Sequence, residues 1–150
     1  MNENRLVVFT KYLLNFMFYS GIIVVISLPY TLKLIGRYLF KEAAEYYVFM
    51  LVILLLSGLC GLTIVYQLKN MMRTVAGKDC FVDSNIKSLK TMGKASLLIA
   101  GIFLVKMFVL PTPAAFIIIL TFFIAGIFSH VLGLVFAEAV RCKKENDLTI

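Results

Sequence analysis

The chain is poor in the materials from which soluble enzymes are built. It has no tryptophan, one histidine, three prolines, three cysteines and eight acidic residues in 150 positions. One histidine, with no second metal-type ligand near it, argues against a metalloenzyme. There is no Ser-x-Gly nucleophile elbow, no H-E-x-x-H pair, no phosphate loop, and no pair of carboxylates within an apolar stretch. The expectation is therefore a non-enzymatic chain without a cofactor. Charge is missing over long distances: Tyr12 to Leu32 and Tyr46 to Leu68 carry none, and Met107 to Ala137 has only His130 as a titratable group. Gly/Ser-rich or Pro-rich linkers and internal repeats are also lacking.

What is present is apolar. The hydrophobic fraction is 61 % and the mean hydropathy is +0.96, well above the roughly 45–50 % of soluble domains. A bilayer core about 30 Å thick needs roughly 20 apolar residues in a helix, so each uncharged run is long enough to cross. The first run exceeds the 7–15 residues of a signal-peptide core and no small-x-small cleavage site follows it, so it reads as a retained span. Pro111-Thr112-Pro113 interrupts the last run. Each proline removes a backbone donor and disfavours helix at the residue before it. That predicts four spans, at about 12–32, 46–68, 95–110 and 114–140, in one all-α membrane domain over 1–150 that folds as a four-helix transmembrane bundle.

Direction follows from the basic residues. Eleven lie on one side: Arg5 and Lys11 in the N-terminal arm, six between Lys69 and Lys94, and Arg141, Lys143 and Lys144 in the tail. Only Lys33, Arg37 and Lys41 lie on the other. Both termini and the central loop are expected inside, facing the cytoplasm. The net charge of +7 is then accounted for by orientation and attraction to anionic lipid, with no direct contact to nucleic acid. Tyr30, Tyr38, Tyr46 and Tyr47 fit the outer interface, and Tyr12 and Tyr66 the inner one. Cys60, Cys80 and Cys142 form neither a C-x-x-C pair nor a zinc pattern, and are expected as free thiols.

The central loop has its own pattern. Gly77-Lys78-Asp79 supplies turn chemistry, with Gly77 suited to a helix C-terminus. Asp83 or Ser84 can cap the following helix. There Ile86, Leu89 and Met92 or Gly93 recur at helical spacing against Lys87, Lys90 and Lys94. This predicts a short basic amphipathic helix segment, serving either as a membrane-entry element or as a docking surface.

Polar groups inside the spans are candidates for function. Lys106 is expected to snorkel to the outer interface. His130 is expected to bond a carbonyl on a neighbouring helix, and Glu138 to pair with Arg141. Asn15, Gln67 and Glu138 lie at similar depth and suggest a polar belt closing the inner end. Small residues at Ala125, Ser129, Gly133 and Ala137, and at Ser57 and Gly61, suit close helix packing, within the chain or in a homo-oligomer.

The tail, Arg141-Cys142-Lys143-Lys144-Glu145-Asn146-Asp147-Leu148-Thr149-Ile150, resembles the ending of a family of small bacterial four-span proteins, domain-of-unknown-function family 2975. Its chains commonly finish in Glu-Asn-Asp-Leu-Thr-Ile or -Val. The run Phe81 to Gly93 is similar to that family's loop pattern of Phe, Asn, basic residues, Leu and Gly, and Leu134 to Val140 also fits. Cys80 departs from it, since proline more often precedes the Phe. Members are often encoded beside a small helix-turn-helix regulator of the Cro/repressor type. The resemblance thus implies a regulatory membrane protein that restrains or senses for such a regulator. Its expected partner-binding residues are Phe81, Asn85, Lys87 and Lys90 in the loop, with Glu145, Asn146, Asp147, Leu148 and Ile150 in the tail. A small transport or immunity component that handles a peptide or lipid is the alternative.

Overall fold

Backbone amides and carbonyls find no partners in hydrocarbon, so a spanning segment must satisfy them internally. The uncharged runs do so as helices. The computed structural model describes residues 3–38 and 45–149, which form α1 (Glu3–Tyr38), α2 (Tyr47–Ala76), α3 (Asp83–Val109) and α4 (Pro113–Leu148). All four are long and apolar enough to cross a membrane, and the chain is a multi-pass, all-helical membrane protein. The shortest has 27 residues and is about 40 Å long at the usual rise. Each helix therefore outruns the apolar core of its span.

Local chemistry sets the ends. Helix α2 stops at Gly77, whose N–H donates to the Arg73 carbonyl at 3.1 Å. Gly77 itself keeps a negative φ; the left-handed residue of the turn is Lys78, at φ 60°. The proline turn separates α3 from α4, with Pro113 in the first turn of α4. Thr112 is the N-cap there, its hydroxyl accepting from the Ala115 N–H at 3.3 Å. Helix α3 begins differently from expectation. Val82, which has no side-chain acceptor, occupies its N-cap, and Asp83 is already inside the helix with its carboxylate on Lys144. The basic stretch Lys87 to Lys94 is not a separate element either. It is the first part of α3, with Ser88, Leu89 and Gly93 buried and the three lysines exposed.

The helices pack in series: α1 on α2, α2 on α3 and α3 on α4. Among the described residues no non-consecutive pair of helices comes within 8 Å between Cα atoms, so the bundle is open and α3 is its axis. Ile99 and Phe103 of α3 are buried with Ala115 of α4, against Leu54 and Ile64 from α2 and Ile118 and Phe122 from α4. The closest approach is between α3 and α4. A Cβ on Gly93 would meet the His130 ring, with Cε1 at 2.7 Å, and the Gly126 carbonyl at 3.1 Å. Glycine at 93 and 126 lets the two backbones cross there. The small face of α4 is thus Gly126, Ser129 and Gly133, all buried, while Ala125 and Ala137 are only half-buried. On α2 it is Gly58, not Gly61, that meets α1, at the side chain of Val25; Gly61 faces open space.

Candidate functional site

The α2–α3 loop and the end of α4 form one surface. Lys143 Nζ donates to Asp79 Oδ1 at 2.9 Å and Lys144 Nζ to Asp83 Oδ2 at 3.2 Å. The Phe81 and Phe136 rings lie 5.3 Å apart between centroids, a spacing that favours tilted aromatic contact. The carboxylate of Asp79 holds the Lys143 ammonium above the ordinary lysine range, through their hydrogen bond first and their charge attraction second.

Asn85 fixes the loop from beneath. Only 1 % exposed, it donates from Nδ2 to the Thr74 hydroxyl and to the Cys80 carbonyl, both at 2.7 Å. It therefore ties the end of α2, the loop and the start of α3 together, and is a positioning residue with no face for a partner. Phe81, Lys87 and Lys90 are exposed, as are Glu145, Asn146, Asp147 and Leu148; Ile150 lies outside the described residues. The two lysines diverge. Lys87 faces α2, whereas the stem of Lys90 lies over Gly133 of α4. They do not make one basic patch. Glu145 is engaged by Arg141 at 3.4 Å, and Arg141 also reaches Glu138 at 3.7 Å, the pairing expected along α4.

Between the end of α2 and the start of α3 is a groove of about 490 Å³ lined only by residues with polar or charged side chains. Helix α2 contributes Gln67, Asn70, Arg73 and Thr74, at the spacing of one helical face. Helix α3 contributes Ser84, Lys87, Ser88 and Thr91 around Asn85. Sequence reading passed over this groove, although the polar recurrence at 67, 70 and 74 and at 84, 88 and 91 was its signal.

The intramembrane polar residues fall elsewhere. Lys106 does reach toward the proline turn, but it is buried rather than snorkelling free. Its ammonium donates to the Thr112 hydroxyl at 3.0 Å, so a single hydroxyl serves both the helix cap and the lysine. His130 lies against Gly93 and makes none of the expected hydrogen bonds among the described residues. The anticipated belt is not assembled. Asn15 Oδ1 is buried without a partner among the described residues, Gln67 lines the groove, and Glu138 pairs along its own helix. Near this end Lys69 instead sits over the Phe18 ring, 5.3 Å from its centroid, linking α2 to α1. Cys60, Cys80 and Cys142 are free.

The sequence model of the family described as protein of unknown function, DUF2975, matches residues 35–150. The chain belongs to that family. No curated protein and no solved structure matches the chain.

Proposed function

We propose that the chain is a non-enzymatic regulatory protein of a bacterial cytoplasmic membrane, with both termini and the α2–α3 loop inside, and that its loop-and-tail surface docks a helix-turn-helix transcription regulator. One observation carries the reading. The loop and the tail, far apart in sequence, are joined by two ion pairs and the Phe81–Phe136 contact into one surface. Exposed ion pairs contribute little, about 0–1 kcal/mol each, so specific binding needs apolar anchors. Phe81 and Leu148 are such anchors, Leu148 being 86 % exposed beside Asp147. Orientation rests on the eleven-to-three asymmetry of basic residues. With that orientation, Lys90 and Lys94 at the start of α3 lie in the inner headgroup layer. The regulator as partner rests on the resemblance to a family often encoded beside one.

Deletion of residues 145–150 tests the docking. The truncated protein is expected to accumulate normally in the membrane while co-purification with the neighbouring regulator, and its control, are lost. Retained regulation at normal membrane levels would exclude the tail from docking. Orientation is tested separately by single cysteines at positions 41 and 144 in a background without native cysteines. An impermeant reagent added outside should label 41 and spare 144; the reverse pattern overturns the topology.

A further inference from the structure

The polar groove between α2 and α3 holds two cations with no acid beside them. Arg73 and Lys87 line it, and neither forms an ion pair among the described residues. The acids closest in sequence, Asp79 and Asp83, are held by Lys143 and Lys144 from the tail, so they do not neutralise the groove.

Two further features point the same way. Ser88 is in the groove wall with 7 % of its surface exposed. Its hydroxyl adds a donor to the wall of the groove. Helix α3 also starts here without a side-chain cap. Its first backbone bonds to Val82 begin at the N–H of Asn85, and the amides of Asp83 and Ser84 have no partner among the described residues. Unpaired amides at a helix N-terminus, with the helix dipole behind them, favour an anion.

From these we infer that the groove binds a phosphate group. Arg73 supplies a planar fork suited to two phosphate oxygens, Lys87 a point charge, and Ser84 and Ser88 donor hydroxyls. A phospholipid headgroup entering sideways between the helices and a soluble phosphate ester present the same chemistry. The inference is independent of the docking proposal, because the groove lies on the α2 side of α3 and the tail on the α4 side.

The full chain in neutral maltoside micelles would be titrated calorimetrically with dioctanoyl phosphatidic acid, dioctanoyl phosphatidylcholine and glycerol 3-phosphate. Saturable one-to-one binding of phosphatidic acid is expected, with at least about tenfold weaker binding in the double variant Arg73→Gln/Lys87→Gln and several-fold weaker binding in Ser88→Ala. Arg5→Gln/Lys11→Gln removes the same charge from α1, outside the groove, and should bind as the native chain does. Helical content by circular dichroism confirms that each variant is folded. Competition by glycerol 3-phosphate identifies a soluble ester as the ligand class, whereas binding of phosphatidic acid alone identifies the lipid. Equal weakening in the two double variants would reduce the effect to diffuse surface charge and overturn the site. Equal affinity for phosphatidylcholine, or no binding by the native chain, would overturn it as well.

Discussion

Replacing Asn85 with alanine should unlock the α2–α3 loop while leaving the spans intact. The side chain is 1 % exposed and gives two hydrogen bonds of 2.7 Å, to the Thr74 hydroxyl and the Cys80 carbonyl. Thr74 loses little, because its hydroxyl still donates to the Met71 carbonyl at 2.7 Å. The Cys80 carbonyl loses the donor assigned to it. At about 1 kcal/mol for each neutral hydrogen bond, the pair is worth about 2 kcal/mol of local stability, and a stranded carbonyl can only add to the cost. Two kcal/mol is roughly a 30-fold change in an opening equilibrium. Hydrogen exchange followed by mass spectrometry reads this directly. Amides of Gly77, Lys78 and Asp79, bonded to the last carbonyls of α2, should exchange about 30-fold faster in Asn85→Ala, with the interior of α3 unchanged. Asn85→Asp should do at least as much, since a carboxylate cannot donate to the Cys80 carbonyl. Loop exchange within about threefold of the native protein in both variants would show that Asn85 is not the pin.

Gly93→Leu should destabilise the α3–α4 crossing by about 1–3 kcal/mol, as overpacking does, because a side chain there meets His130 and the Gly126 carbonyl. Gly101→Ala, with nothing near its added Cβ, should be neutral or stabilising by up to about 1 kcal/mol; detergent unfolding curves that rank the two the other way would refute the packing described. At the proline turn, Thr112→Val should cost more than Lys106→Met. The former removes a cap worth about 1 kcal/mol and strands a buried ammonium, whereas the latter takes the charge away with its partner. Equal melting temperatures would contradict that order. Lys143 has a pKa raised by Asp79, so its tether is fully present below the ordinary lysine range and is lost as pH climbs through the raised value. Spin labels at positions 78 and 146 should keep a narrow distance distribution from pH 6 to 9 and broaden only in stronger alkali. Lys143→Arg, which stays charged, should resist that broadening, and broadening at the same pH would count against the tether.

The helices were legible because the bilayer imposes a rule that acts residue by residue. Uncharged runs of the right length, with Pro111 and Pro113 breaking the last one, are enough to place four helices. Their ends were less legible, since α2 and α4 run on past the apolar stretches into Arg73 and Lys144, where helix propensity and ion pairing take over from hydropathy. Serial packing could not be read at all. It depends on which small residue meets which neighbour, and a row spaced by four on one helix does not say so. Ala125, Ser129, Gly133 and Ala137 fit such a row, but the crossing is made at Gly126, one position aside, where the α3 backbone comes down.

The candidate site shows the same limit more sharply. Local pairs were readable: Glu138 with Arg141 follows from helical spacing alone, and that ion pair forms. Lys143 with Asp79 and Lys144 with Asp83 span most of α3 and α4, so only the fold brings them together. Once they are paired, charges that looked equivalent in sequence separate into two kinds. The lysines of the tail are occupied by loop acids, whereas Arg73 and Lys87 have none among the described residues. Net charge by itself could not divide them. Asp83 was the natural cap, but its carboxylate turns away to Lys144. With apolar Val82 at the N-cap, no side chain among the described residues answers the first amides of α3.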